Sequence, residues 1–318
     1  KKTKQKKIYL IIWKRFLKKM MNELIIDTEP RNFLIISSDI QSRYNIVLNK
    51  ISEFYKTKEN KILDHPDIKY VCLPIIDKAG KVEASLSNEE LLLRNYGLLD
   101  SKNSNRVGND ITINQIREII SFTQISAYEG KKFVIINSAS SMNNEASSAL
   151  LKTLEEVSSN CTFILLSSSF NDVHVTIKSR CQILSIETEH KFTQGLEFLD
   201  YFYAKHYFLK SVNKEYDLDN LVQNISSQID GLLDNTLDPI DISNGWSKSH
   251  VNLILYIISE YIIYISSKSL NIELSKNLHT KLKKLSNIFN KLPSIKKNLD
   301  LNINVKYLLN NLTIELAA

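Results

Sequence analysis

From about residue 32 the chain alternates short apolar runs with stretches of helical period. "NFLIIS" (Asn32–Ser37), "KFVIIN" (Lys132–Asn137), "CTFILLSS" (Cys161–Ser168) and "CQILSIE" (Cys181–Glu187) are continuous runs of strand length, and "IKYVCLPII" (Ile68–Ile76) supplies a fifth. Between them, Ile40–Tyr55 repeats apolar side chains at Tyr44, Val47, Leu48, Ile51 and Tyr55. Ile111–Tyr128 does so at Ile113, Ile116 and Ile120, and Asn143–Val157 places Ala146, Ala149, Leu150 and Leu154 on one face. A weaker helix over Asn88–Tyr96 interrupts the polar stretch Asp77–Asp110. Uninterrupted apolar strands separated by helices are what a parallel sheet needs when helices cover both of its faces, because no strand position then meets water. The pattern predicts an α/β domain over residues 21–188 with a parallel five-stranded sheet.

After Glu189 the strand pattern stops. Lys191–Leu209 and Leu218–Leu233 read as helices, and Asp234–Gly245, with Asn235, Pro239, Asn244 and Gly245, reads as a linker. From Trp246 to Leu316 the period is helical throughout. Leu253–Ile265 is apolar nearly all round, which predicts burial by neighbouring helices or by another subunit. Ser259 and Glu260 interrupt it, and the stretch is too short for a bilayer. The boundaries expected are a small helical domain over 189–235 and an all-helical C-terminal domain over 236–318.

Composition sharpens this picture at three points. Glycine occurs 7 times in 318 residues, about 2% against a usual ~7%. No two glycines stand five apart, so neither G-x-x-x-x-G-K-[ST] nor G-x-G-x-x-G can be written anywhere in the chain. Glycine-rich phosphate cradles, which need backbone to approach phosphate without a Cβ in the way, are thereby excluded. The formal charge of +6 comes from residues 1–20, which hold nine Lys and Arg and no acid; the remainder has 32 basic against 35 acidic residues, a net of −3. That segment precedes Met20 and Met21 and reads as a basic extension, disordered or an upstream artefact; its apolar stretch "IYLIIW" is followed by basic residues where a signal cleavage site would stand. Three cysteines (Cys72, Cys161, Cys181) form neither a disulfide framework nor a metal-ligand spacing. The expectation is a reduced, soluble, cytoplasmic protein with no membrane partner.

Four segments carry chemical information: "DHPD" (Asp64–Asp67), "ITINQIREI" (Ile111–Ile119), "FVIINSASSMNNEASSALLKTLEEV" (Phe133–Val157) and "TIKSRC" (Thr176–Cys181). Singly each has a bland explanation: a turn before a strand, an amphipathic helix, a cation at a helix C-terminus. Taken together and in this order they resemble the bacterial sliding-clamp loaders, a branch of the AAA+ ATPases. The likeness covers about Arg31–Glu187 by motif and the rest by size and order of elements.

That resemblance implies an AAA+-like fold, with a small lid over 189–235 and an oligomerising collar over 236–318. The stretch "FLIISSDIQSRYNIVLNK" stands where loader motor subunits carry a P-loop, and the strand that should end in two acids ends in Asn137 and Ser138. With no group for the β- and γ-phosphates, for Mg²⁺ or for the attacking water, the family member implied is the non-hydrolysing stator, without ATPase activity as an isolated chain. Many relatives carry a four-cysteine zinc module before D-H-P-D; here Tyr55–Asp64 contains no cysteine, so neither zinc nor a resident nucleotide is expected. Val157, in place of a proline, and His174-Val175 before Thr176 are smaller departures from the family pattern.

What remains is Arg180, which the resemblance casts as an arginine finger acting in trans on ATP held by a neighbouring subunit, with Thr176, Ser179 and Cys181 supporting the turn. Cys181 is expected to be a buried small residue that starts the last strand. His65 reads as structural, and Glu155 and Glu156, being adjacent, face different sides of a helix and read as structural or interface residues. The partners implied are gamma/tau-type motor subunits and a delta subunit in a hetero-pentamer, with the sliding clamp and primed DNA met through the assembly. Two other readings stay open: a divergent motor subunit that hydrolyses ATP itself, and a non-replicative interaction module on the same scaffold.

Overall fold

The computed structural model describes residues 32–99, 106–156, 160–186, 196–247, 250–269, 276–300 and 303–318; the basic segment 1–20 and residues 191–195 of an expected helix lie outside them. The chain divides into two compact units, one from the described residues of Lys1–Leu92 and Asp100–Thr188, the other from those of Leu93–Leu99 and Glu189–Ala318.

The first unit is built on strands β1 (Asn32–Ile36), β2 (Ile68–Val71), β6 (Lys132–Asn137), β7 (Cys161–Ser167) and β8 (Gln182–Ser185), in the spatial order β2-β6-β7-β1-β8. Every pairing is parallel. The three central strands are buried at every position, as their continuous apolar runs predict. The edge strand β8 buries only Leu184. Helices α1 (Ile40–Tyr55), α2 (Asn88–Asn95, of which Asn88–Leu92 belongs here), α3 (Ile113–Gln124), α4 (Asn144–Glu155) and the one-turn α5 (Val175–Lys178) complete the unit. Phe33, Ile35, Val47, Ile51, Ile135 and Ile164 lie at the centre of the core beneath α1.

The run Ile68–Ile76 is not one strand. It leaves the parallel sheet after Val71, and Pro74–Ile76 becomes β3 of a separate antiparallel sheet with β4 (Val82–Ser85) and β5 (Arg106–Val107). Pro74 has no N–H for the parallel ladder, so the apolar run breaks there. The same small sheet gives the polar stretch Asp77–Asp110 two strands that its composition does not predict. Helix α3 starts at a capping box, with Thr112 Oγ1 accepting from Gln115 N and the Gln115 side chain accepting from Thr112 N, which shortens the expected helix at its start.

The second unit contains α6 (Phe198–Lys205), α7 (Tyr207–Ser211), α8 (Asn213–Tyr216), α9 (Leu218–Leu233), α10 (Pro239–Trp246), α11 (Val251–Ser269), α12 (Lys276–Asp300) and α13 (Val305–Ala317). The stretch expected to be a linker, Asp234–Gly245, folds largely as α10: the Asp238 side chain accepts from Ile240 N at 2.7 Å, and Pro239 occupies the first turn, where its missing N–H costs nothing. The helix expected over Lys191–Leu209 is broken at His206 (φ −119°, ψ 56°) into α6 and α7. Helix α11 is long and apolar enough, at a mean hydropathy of 1.2 over Val251–Lys268, to cross a membrane, yet half of that window is buried within the protein. Leu253, Ile254, Ile257 and Ile258 are fully inaccessible. In Leu93–Leu99, Gly97 (φ +70°) lies so close to Asn252 that a Cβ would come within 2.9 Å of the asparagine Cβ.

Candidate functional site

Two regions of the first unit lie at opposite edges of the parallel sheet. At the carboxyl edge, β1 runs through Ser37 and Ser38 into α1. Asp39 caps that helix: its carboxylate accepts from Ser42 N at 3.0 Å and from the Ser42 hydroxyl, while Asp39 N donates to Ser37 Oγ. Arg43, one turn on, is 1% exposed. Its Nη1 donates to Ser37 O at 2.6 Å and to Ser168 Oγ at 3.1 Å, and its Nε has no partner. Desolvation lowers the guanidinium to about 10 against the opposing pull of the Asp39 carboxylate, but leaves it charged at neutral pH.

Asn137 ends β6 at the same edge, fully buried. Its Nδ2 donates to Asn88 Oδ1 at 3.0 Å and to Tyr70 Oη at 3.2 Å, and Asn88 Nδ2 donates to Gln41 Oε1 at 3.0 Å. Burial pushes the Tyr70 phenol far above its ordinary range, so this chain of groups is neutral. Ser138, next in sequence, sits in the left-handed region at φ +74°. The edge therefore carries a carboxylate engaged by its own helix, a guanidinium turned into the strand ends, and neutral amides. The sequence points to Asn137 here but does not reveal Asn88 and Gln41 as its neighbours, because these lie on α2 and α1.

The amino edge holds the "TIKSRC" segment. Thr176 and Lys178 belong to α5, Ser179 follows it, and Arg180 and Cys181 lead into β8. Ser179 Oγ donates to Thr176 O at 2.9 Å, closing the turn. Arg180 Nη1 donates to the same carbonyl at 3.0 Å and to Ser179 Oγ at 3.1 Å. Arg180 Nε donates to Glu155 Oε1 at 2.7 Å, and Nη2 pairs with the same oxygen. Asn32, the first residue of β1, donates from Nδ2 to Leu154 O at 2.7 Å and to Arg180 O at 3.1 Å, tying the end of α4 to the Arg180 backbone. All four sequence-predicted site residues are thus in one turn, and Glu155 and Asn32 join them. Cys181 is half-buried and precedes β8 instead of starting it, a departure from the sequence expectation; burial pushes its thiol up to about 12, which makes it a poor nucleophile. Val175 and Ile183, 72% and 44% exposed, flank the turn.

The D-H-P-D stretch sits elsewhere on that edge. Asp67 is buried and accepts from Tyr128 N and Glu129 N at 2.7 and 2.6 Å, holding the loop before β6. His65 stacks on Tyr55 with ring centres 4.0 Å apart, accepts from Asp67 N at Nδ1 and places Nε2 3.4 Å from Glu129. The Asp67 carboxylate oxygens and both His65 ring nitrogens thus have structural neighbours.

A parallel five-stranded sheet in this order, covered by helices and followed by a helical unit, is the AAA+-type α/β class. Residues 40–190 match the family model described as DNA polymerase III, delta subunit. It is 39% identical over 72 residues to DNA polymerase III subunit delta′ of Pseudomonas aeruginosa and 35% identical over 85 residues to that of Haemophilus influenzae. It is also 32% identical over 107 residues to a replication factor C small subunit of Methanosarcina mazei. These matches cover 22%, 26% and 33% of this chain and 22%, 26% and 30% of the relatives. The solved structure of a DNA polymerase III gamma subunit-related protein from Thermotoga maritima aligns with 95% of the chain and 98% of its own at 17% identity, with a TM-score of 0.47.

Proposed function

We propose that this chain is a non-hydrolysing, delta-prime-type subunit of a DNA polymerase III clamp loader. In this reading it assembles with gamma/tau-type motor subunits and a delta subunit, supplies Arg180 in trans to a neighbour's ATP, and helps place a sliding clamp on primed DNA in the cytoplasm. The observation that carries the reading is the separation of Arg180 from the carboxyl edge of its own sheet. Asn32 holds the Arg180 carbonyl at one end of β1, and Arg43 binds Ser37 O just past the other. Four strand rises lie between Asn32 and Ile36, roughly 13 Å, so Arg180 is badly placed for a phosphate on its own chain, which supports a role toward a neighbour's.

The carboxyl edge supports the other half of the reading. The first-turn amides that could hold a phosphate face the Asp39 carboxylate, which repels one. Asn137 is neutral and cannot act as the base that orients water. Full-length protein titrated with ATP is therefore expected to show no binding; micromolar affinity would sink the stator role. In a reconstituted loader, Arg180→Ala is expected to lower clamp- and DNA-stimulated hydrolysis at least severalfold with assembly intact, because the bidentate guanidinium that stabilises a transferring phosphoryl group is gone. Unchanged hydrolysis would remove the finger role.

A further inference from the structure

Helix α12 holds seven lysines and one acid, Asp300, in 25 residues. Its net charge of +6 stands out from a chain that, beyond residues 1–20, totals −3, so the rest of that body carries −9. The helix buries Leu285, Ile288 and Leu292. At 100° per residue, Lys283, Asn287, Asn290 and Lys297 share the opposite face, with Lys284 and Lys291 along one side of it. Lys283, Asn287, Asn290, Lys291 and Lys297 are exposed, and Lys284 is half-buried. Lys281 is paired with Asp234, and Lys291 Nζ lies 2.7 Å from Glu315. Among the described residues no carboxylate forms an ion pair with Lys283, Lys284, Lys296 or Lys297. An exposed pair such as Lys291–Glu315 is weak and yields readily to a second anion.

We infer that this outer face of α12 binds the phosphate backbone of nucleic acid without reading its sequence. Fourteen residues separate Lys283 from Lys297, roughly 21 Å along a helix axis. That is the span of about six phosphates of one strand at ~3.4 Å each. Lysines supply compact point charges for phosphate oxygens, and Asn287 and Asn290 add neutral donors on the same line. An acidic protein fits this face less well. Protein interfaces are depleted in Lys and enriched in Arg and aromatics, whereas α12 has no Arg and one aromatic, Phe289.

The test uses the full chain, fluorescein-labelled 20-nucleotide single strands and 20-base-pair duplexes, and anisotropy over a salt series from 50 mM. Lys283→Glu/Lys297→Glu is expected to weaken binding at least tenfold and to lower the slope of log K against log [salt] by about two or more. Lys283→Gln/Lys297→Gln, which removes two charges without reversing them, is expected to lower that slope by about 1.8. Lys78→Glu/Lys81→Glu, on an exposed turn of the first unit, is expected to change neither. Unaltered affinity and slope in both α12 variants would overturn the inference, as when residues 1–20 carry the binding. Competition by polyglutamate as effective as that by nucleic acid would overturn it in favour of an acidic protein. No partner subunit is needed, so the outcome is separate from that of the Arg180 test.

Discussion

The side chain and backbone of Arg180 are oriented by groups 25 and 148 residues away, Glu155 and Asn32. The two contacts differ in kind. Arg180–Glu155 is a partly exposed ion pair, screened by water and salt, and contributes under about 1 kcal/mol. Glu155→Gln is therefore expected to shift the urea midpoint by less than that equivalent, and a loss above about 2 kcal/mol would show that the pair holds the fold. Because the pair is weak, the guanidinium can exchange Glu155 for a phosphate oxygen at small cost. Asn32 is buried, and its one amide group serves two carbonyls. Asn32→Ala leaves both without that donor, and a loss of about 1–3 kcal/mol in urea denaturation is expected. The sequence motif picks out Arg180, Ser179 and Thr176 because they share one turn. It is silent on Asn32, which reads there as the first residue of a strand.

At the scale of elements, period and caps decide most of what forms. Helix α1 is found over the residues its apolar spacing predicts, started by Asp39 and ended at Lys56 in the left-handed region. Helix α10 shows where such reading goes astray. Pro239, Asn244 and Gly245 look like breakers, but a proline in the first turn after an aspartate cap starts a helix instead of ending one. Removing that cap by Asp238→Ala is expected to cost about 1 kcal/mol, read as a lower midpoint for the helical unit in chemical denaturation followed by circular dichroism. The strand expected over Ile68–Ile76 fails for a related reason: its apolar residues satisfy the pattern on both sides of Pro74, and only the ladder, which needs an N–H, distinguishes them.

At the scale of the whole molecule, charge is distributed in ways that totals conceal. Glu260 interrupts the most apolar helix and is itself 7% exposed. Lys205 Nζ lies 3.0 Å from its Oε2, Tyr201 donates to the same oxygen, and His206 Nε2 lies 3.4 Å from Oε1. His206 also meets Tyr96 through Nδ1 at 3.2 Å. Burial alone would push the Glu260 carboxyl up; His206 and Lys205 outweigh it and hold the group at about 2. A carboxyl held below its unfolded value stabilises the fold above that unfolded value, near 4.5, and the contribution fades as pH falls toward 2. The helical unit is therefore expected to lose stability between about pH 4.5 and 2 in acid titrations followed by circular dichroism. Glu260→Ala leaves Lys205 charged and buried without its anion, so a loss of about 3–5 kcal/mol at neutral pH is expected, together with a flatter acid limb. An acid limb identical to that of the unaltered chain would show that Glu260 does not govern it.

The sequence by itself determined the parallel sheet, most of its covering helices, the absence of a glycine phosphate cradle, and the turn that bears Arg180. Each of these is written within a single strand, helix or turn, where period, cap and the need for a missing Cβ act over a few residues. Only the tertiary structure decided that Arg180 meets Glu155 and Asn32, that Asp39, Arg43, Asn88 and Asn137 gather at the other edge, and that Glu260 is a paired buried ion instead of a solvated one. Those pairings arise because the strand order β2-β6-β7-β1-β8 and the packing of α6 against α11 bring together residues far apart in the chain. No local period records such an arrangement, since the free energy that selects it belongs to the packed core as a whole.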